Sequence, residues 1–305
     1  MLFTKMHGTG NDFVVIDARV VEQNWETLAR SICDRHFGVG ADGIILICPS
    51  DVADLRMRMF NPDGSEAEMC GNGIRCFAKY VLDREIIGGK PKHFKVETLA
   101  GVLPIVPSVQ GGKMKSAQVG MGIPRLRSSE IPVDPAQRLN VVGSRMSVVQ
   151  IPSEDSTKYF IPSEDLVVDW PLLIDGTELK ITGVSMGNPH AIAFVESSVD
   201  DFPLDRIGPM VEHHPMFPQR VNFEIVNVLD RHNLRVRVWE RGAGMTMACG
   251  SGASAVAVAA RLHDYVDKEV EITLPGGILS IYWDGEGEVF LTGPAIEVFQ
   301  GNWQE

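Results

Sequence analysis

Arg56-Met57-Arg58-Met59-Phe60 and Arg235-Val236-Arg237-Val238-Trp239 read as one strand written twice, 235 − 56 = 179 residues apart. Basic and apolar side chains alternate with a period of two, the pattern of a half-buried strand. The same offset carries Asn61 onto Glu240, Cys70-Gly71 onto Cys249-Gly250, Gly73 onto Gly252 and Ala78 onto Ala257. Gly10-Asn11 recurs as Gly187-Asn188 at 177, and Thr98-Leu99 with Gly101 recurs as Thr273-Leu274 with Gly276 at 175. Such similar offsets in the same order mark an internal duplication. The chain therefore reads as two copies of one domain, with a pseudo-twofold axis between them.

Each copy has the same coarse pattern. Runs such as Phe13-Val14-Val15-Ile16, Ile44-Ile45-Leu46-Ile47 and Leu55 to Phe60 are bounded by Gly, Pro, Asn and Asp, as strands are. After each Cys-Gly-x-Gly the pattern turns helical, over Ile74 to Leu82 and over Ala253 to Leu262. The second of these is almost wholly Ala and Val, and a helix apolar all round must be enclosed. Trp25, Leu28, Ala29, Ile32 and Cys33 fall at helical spacing and predict one more, amphipathic helix. The expected fold class is α+β: two pseudo-symmetric domains, each a mainly antiparallel curled sheet around a central helix. The region from about 105 to 175, with Gly111-Gly112 and a tandem Ile-Pro-Ser-Glu-Asp at 151–155 and 161–165, breaks the symmetry. It reads as an acidic surface excursion and is assigned no chemistry.

Composition narrows the function. The chain has 305 residues, enough for two domains, with 44% apolar and 22% charged residues. Lys plus Arg is 28 against 40 for Asp plus Glu, a net charge of −12 that argues against nucleic-acid and anionic-membrane partners. No apolar run approaches the roughly 18 residues needed to span a bilayer. Met1 to Gly8 lacks the apolar stretch of a secretory signal, although a transit peptide removed before residue 1 would leave no trace. Five cysteines is an odd, sparse count that favours a reducing compartment over a disulfide framework. A cytoplasmic enzyme, or a stromal one if the source has plastids, is expected.

The chemistry is expected at Cys70 and Cys249. Cys33, Cys48 and Cys76 read as small buried hydrophobes. Cys70 and Cys249 differ because each opens a helix through Gly-x-Gly. The unpaired N–H groups of a first helical turn and the helix dipole both lower a thiol's pKa. The same N–H groups cradle an anion, and the glycines let a carboxylate come close. Two sulfurs flanking one bound carboxylate compound would suit removal of an α-proton from one face and delivery of a proton to the other. Other motifs fail: Gly8-Thr9-Gly10 lacks the third glycine of a dinucleotide loop, and there is no phosphate-binding Walker loop. Cys33-Asp34-Arg35-His36 has no second metal-ligand pair, and His213-His214 has no company either, so no metal is expected.

Met6-His7-Gly8-Thr9-Gly10-Asn11-Asp12-Phe13, Asn61-Pro62-Asp63-Gly64-Ser65-Glu66, Met69-Cys70-Gly71-Asn72-Gly73-Ile74-Arg75-Cys76, Gly187-Asn188-Pro189-His190 and Trp239-Glu240-Arg241-Gly242 with Ala248-Cys249-Gly250-Ser251-Gly252 together resemble the diaminopimelate epimerase family. The resemblance runs from residue 1 to about 300 and is weakest over 105–175. It implies epimerisation of LL-2,6-diaminopimelate to the meso form without metal or pyridoxal phosphate, in lysine biosynthesis. It also implies a homodimer whose active site lies between two similar halves, with the last strand returning to the first half. The expected domains are then 1–125 plus 295–305, and 126–294.

Carried over residue by residue, the resemblance makes Cys70 and Cys249 the catalytic pair and the amides of Gly71, Asn72, Gly250 and Ser251 the α-carboxylate cradle. Asn11, Asn61, Asn188, Asn222, Glu240 and Arg241 match substrate-holding positions, and His190 and Glu240 match positions that tune the cysteines. Many members carry Gln where this chain has Gly43, and many carry Thr where it has Ser251. So many polar groups suit a long, doubly zwitterionic substrate, because a small one would leave buried groups unpaired at about 1–3 kcal/mol each. Glu240 is expected to accept from a distal ammonium and Arg241 to grip a distal carboxylate. Three rivals remain. Proline-type racemases of the same fold carry Cys-Gly-His-Gly where this chain has Cys70-Gly71-Asn72-Gly73. A redox protein cycling a Cys70–Cys249 disulfide, or a non-catalytic amino-acid-binding module, would show no proton exchange at an α-carbon.

Overall fold

The computed structural model describes residues 1–89, 91–137 and 165–304. The chain divides into two units, Met1–Gly120 with Thr292–Glu305, and Met121–Leu291. In the first, β1 (Leu2–Gly8) turns back into β2 (Asn11–Asp17) through Thr9 and Gly10, both at positive φ. The amphipathic α1 (Trp25–Ile32) then crosses over, its start fixed by Asn24, whose side chain accepts from the Thr27 N–H at 3.0 Å. The crossover makes β3 (Gly43–Cys48) parallel to β2, and β4 (Leu55–Phe60) and β5 (Glu66–Ala67) follow antiparallel. Next comes α2 (Gly71–Asp83), after which β6 (Phe94–Thr98) pairs parallel with β4. Then β7 (Gly101–Gln110) and β8 (Lys113–Gly120) complete the run antiparallel.

The second unit starts with β9 (Trp170–Ile174), then β10 (Thr177–Ser185) and β11 (Pro189–Phe194), all antiparallel. The crossover α3 (Leu204–Glu212) leads to β12 (Asn222–Asp230), parallel to β11, and β13 (Asn233–Glu240) and β14 (Gly244–Met245) follow antiparallel. After α4 (Gly250–Leu262), β15 (Glu269–Leu274) pairs parallel with β13 and β16 (Gly277–Tyr282) antiparallel with β15. Two strands close the chain, β17 (Phe290–Pro294) and β18 (Ile296–Asn302), and β18 pairs antiparallel with β1 in the first unit. From β1 to β7 and from β10 to β16 the order is the same: hairpin, helix, parallel strand, antiparallel pair, helix, parallel strand, antiparallel strand. The expected α+β class and mainly antiparallel pairing are what the chain forms.

Each unit wraps its sheet around one helix. In the first, α2 lies against β1, β2, β3, β8 and β18, with Ile74, Cys76, Phe77, Ala78 and Val81 buried. In the second, α4 lies against β10, β11, β12, β15 and β16, and Val256 and Val258 are fully buried. Each such valine contributes about 1.5–3 kcal/mol through apolar burial. Both helices begin three residues before the apolar periodicity does, so the Gly-x-Gly lies inside the first turn.

Part of the expected excursion is regular structure. Residues 105–120 lie in the β7–β8 pair, with Gly111 and Gly112 turning the hairpin at positive φ and Ile105, Ala117 and Val119 fully buried. Residues 170–174 form β9. The first tandem Ile-Pro-Ser-Glu-Asp, and all but Asp165 of the second, lie outside the described residues. All five cysteines are unbridged. Among the described residues, no helix is long and apolar enough to cross a membrane.

Candidate active site

Cys70 is the N-cap of α2 and Cys249 is the N-cap of α4, both with extended backbones that turn directly into the helix. The first-turn N–H groups at Gly71-Asn72 and Gly250-Ser251 therefore start without intrahelical acceptors. In the first unit the Cys70 thiol donates to Asn11 Oδ1 at 3.5 Å, and Asn72 Nδ2 donates to the same oxygen at 3.1 Å. Asn11 in turn donates to Asp42 at 2.7 Å. Asp42 and Asp12 are held by Arg35, and Asp12 also by Lys5, so this end of β1 and β2 is fixed by charge. The Asn61 side chain donates to Ser65 Oγ at 3.0 Å, and its backbone closes the turn from 61 to 65.

In the second unit a hydrogen-bonded chain ends at Cys249. Glu224 Oε1 lies 2.7 Å from His190 Nδ1, and both side chains are completely buried. His190 Nε2 lies 3.1 Å from Asn188 Oδ1, Asn188 Nδ2 donates to Ser251 Oγ at 3.2 Å, and Ser251 Oγ lies 3.4 Å from Cys249 Sγ. The Gly252 N–H also donates to Cys249 Sγ, at 3.4 Å. Glu240 accepts from Thr246 Oγ1 at 2.5 Å and lies near enough to Cys249 for its charge to act on that thiol. Asn222 spans the strand ends: it donates to the Pro189 carbonyl and accepts from the Arg241 N–H, both at 2.9 Å. The Arg241 guanidinium donates to the Gln219 carbonyl.

The electrostatics at Cys249 run against the expectation from the helix start alone. Burial pushes its thiol well above the ordinary range, the carboxylates of Glu240 and Glu224 push further, and the Ser251 and Gly252 donors only partly oppose them. The dipole and N–H donors of a first turn stabilise a thiolate, but the desolvation of a fully enclosed sulfur beside two acids is the larger effect. Burial likewise raises Glu240, against the pull of Thr246 and Cys249. Cys33 and Cys76 are buried and pushed up to about 12, as inert core thiols should be, while Cys48 is half-buried.

Two residues that the motifs do not single out complete this constellation. Glu224 is the acid behind His190, and its Oε2 is buried without a hydrogen-bond partner among the described residues. Glu212, also buried, accepts from the Trp239 indole at 2.7 Å and the Gly242 N–H at 3.0 Å, and so holds the segment carrying Glu240 and Arg241. Gly208 lets α3 approach, because a Cβ there would fall 2.6 Å from the Trp239 ring. At Gly43 a Cβ would meet the Phe60 carbonyl at 2.6 Å, so this backbone accepts no side chain there without shifting.

The diaminopimelate epimerase family model matches residues 3–126 and 182–298. The diaminopimelate epimerase of Acetivibrio thermocellus is 47% identical over 303 residues, covering 99% of this chain and 98% of that protein. That of Methanococcus maripaludis is 42% identical over 303 residues, covering 99% of both. Among solved structures, a hydroxyproline epimerase from Agrobacterium vitis superposes with a TM-score of 0.67 at 14% identity, over 99% of this chain and 90% of that one, which shows a shared fold. With the family model matched over both halves and relatives this similar along their whole length, the chain belongs to the diaminopimelate epimerase family.

Proposed function

We propose that the protein converts LL-2,6-diaminopimelate to the meso isomer, a step of lysine biosynthesis, with Cys70 and Cys249 as paired base and acid. The observation that carries this reading is a cysteine at the N-cap of each of two equivalent enclosed helices, in a chain of this family. One thiolate takes the α-proton and becomes a thiol. The electron pair left on carbon spreads onto the α-carboxylate, and the other thiol delivers its proton to the opposite face and becomes a thiolate. The amides of Gly71, Asn72, Gly250 and Ser251 hold that carboxylate, so the developing charge meets preorganised donors rather than a cofactor. Losing one such donor costs on the order of 3 kcal/mol of barrier.

In this reading Asn11, Asn72 and Asn188 hold the reacting end and Asn61, Asn222 and Arg241 the rest of the substrate. The charge of Glu240 acting on Cys249 favours its tuning role over a distal ammonium, and His190 sits in the chain that reaches the same sulfur. Incubation with LL-diaminopimelate and chiral chromatography tests the proposal: the meso isomer should form, and neither Cys70→Ala nor Cys249→Ala should form it. A protein that binds the substrate and never forms the meso isomer rules it out. We also read the enzyme as a cytoplasmic homodimer. The exposed apolar side chains of Leu2, Ile296, Val298 and Phe299 on β1 and β18 suit a second copy, which light scattering would detect at twice the chain mass.

A further inference from the structure

Arg75 is the most enclosed cation described: it has no exposed surface, and its guanidinium sits inside the first unit beneath the start of α2. Its acceptors are all neutral. It donates to the Gly71 carbonyl at 2.9 Å, Asn72 Oδ1 at 2.9 Å, Thr9 Oγ1 at 3.4 Å and the Pro294 carbonyl at 3.2 Å. Among the described residues no carboxylate pairs with it, and the ionisable groups near enough to act on it are the thiols of Cys76 and Cys70. A buried, unpaired charge is costly, so its retention calls for an anion that it serves. Cys76 cannot be that anion, because complete burial holds it protonated.

The duplication supplies the control. Position 75 corresponds to 254 at the offset of 179, and Ser254 Oγ donates to the Gly250 carbonyl at 2.9 Å as Arg75 donates to Gly71. The same carbonyl is thus gripped by a cation in one copy and by a neutral hydroxyl in the other. Around the two sulfurs the asymmetry has the opposite charge in each copy: Arg75 beside Cys70, but Glu240 and Glu224 beside Cys249.

We propose that Arg75 is a positioning residue that makes the Cys70 copy the cationic one, so that the resting enzyme carries its thiolate at Cys70 and its thiol at Cys249. This rests on the reading of both cysteines as proton carriers. Arg75 acts by two routes. Its charge favours an anion at Cys70. Its bond to the Gly71 carbonyl also polarises the Gly71–Asn72 peptide, which makes the Asn72 N–H a stronger donor to an anion at this helix start, against the pull of the Asn11 carbonyl oxygen that accepts from the thiol. The charges on the neighbouring strands and on α2 itself are paired with one another. Lys5, Asp12, Arg35 and Asp42 on β1, β2 and the segment before β3 are two of each sign and bonded to one another. His7 on β1 accepts from the Gly10 N–H, and Lys79 on α2 is paired with Asp83 at 2.9 Å.

The test is iodoacetamide labelling of the substrate-free enzyme across the thiol titration range, followed for each cysteine by peptide mass spectrometry. In the unaltered protein the labelling midpoint of Cys70 should lie at least about one pH unit below that of Cys249. Arg75→Gln should raise the Cys70 midpoint by about one unit, slowing its labelling about tenfold on the acid side of that midpoint, and leave the Cys249 midpoint in place. Arg75→Lys should recover part of the shift. A Cys70 midpoint at or above that of Cys249 in the unaltered protein overturns the proposal whatever the variants do. So does an unmoved Cys70 midpoint in an Arg75→Gln protein with native near-ultraviolet circular dichroism. If Arg75→Gln does not fold, the comparison within the unaltered protein decides alone. Turnover of LL-diaminopimelate with a high Cys70 midpoint removes Arg75's role only, whereas a low midpoint without turnover removes the assigned reaction.

Discussion

Gly73 and Gly252 occupy the same place in the two helices, yet a methyl group would be received differently at each. At Gly73 the nearest atom is Ile45 Cδ1 at 3.2 Å, the end of a side chain that can give way, and Cys70 Cβ and Met59 Sδ at 3.4 Å are at ordinary contact distance. At Gly252 the nearest is Glu224 Oε1 at 2.7 Å, fixed by its bond to His190 in a fully buried pair. Replacing helical Gly by Ala gains about 1 kcal/mol of propensity. Gly73→Ala should therefore melt at or above the unaltered protein and keep activity within a few-fold. Gly252→Ala should lose about tenfold or more in kcat/KM, because displacing Glu224 disturbs the chain to Cys249. Equal losses at both sites would show that Glu224 has no special hold there. Removing the acid itself, in Glu224→Ala, leaves His190 Nδ1 buried and unpaired, at a cost of about 1–3 kcal/mol that a thermal melt can read. Cys70 and Cys249 were legible because an N-cap cysteine before Gly-x-Gly is a local pattern. Glu224 and Arg75 were not, because Asn222 to Val226 and Gly71 to Ala78 are buried continuously, and periodicity cannot tell which charged side chain is enclosed.

Between elements, the cluster of Lys5 on β1, Asp12 on β2 and Arg35 and Asp42 in the segment before β3 ties three pieces of chain together. Burial alone would raise Asp12, but hydrogen bonds from Arg35 and Lys5 outweigh it and hold the carboxyl down to about 2, from 3.8. A carboxyl whose folded pKa is depressed stabilises the fold above its unfolded pKa and loses that contribution as pH falls through the folded one. The cluster should thus be at full strength above about pH 4 and fade toward pH 2. Melting curves over a pH series should show Asp12→Asn less stable than the unaltered protein at neutral pH, with the gap closing over that window. A gap that stays constant would mean that Asp12 contributes through packing alone. At this scale the central helices and the alternating β4 and β13 were readable from spacing. The β7–β8 pair was not, since the chain from about 105 read as a surface excursion, and β7 carries Pro104 and Pro107. They are tolerated because β7 is paired on one side at a time, with β6 over 101–105 and with β8 over 105–110, leaving an open side for a missing N–H.

At the scale of the whole chain, the proposed mechanism has duplication turn one domain plan into two acid–base groups, which now have different surroundings. The element order of both copies was written in the repeat, whereas the contrast of Arg75 with Ser254, and of a cationic with an acidic setting, needed the packed structure. Under the proposed mechanism each sulfur exchanges its proton with solvent while the site is empty, so in deuterated water the donor thiol is S–D before substrate binds. The base removes hydrogen from one face and the donor adds deuterium to the other. Product meso-diaminopimelate should therefore carry deuterium at the inverted α-carbon from its first appearance, and recovered LL substrate should stay protonated early in the reaction. The pH profile of kcat/KM should be bell-shaped, because one sulfur must start as thiolate and the other as thiol, and its two limbs belong to the pair together. A single base serving both faces predicts the reverse isotope pattern: it would return the hydrogen that it had removed, and early product would keep its original hydrogen. Mass spectrometry of product at a few per cent conversion separates the two, and early product that kept its hydrogen would leave Cys70 and Cys249 without a shared role.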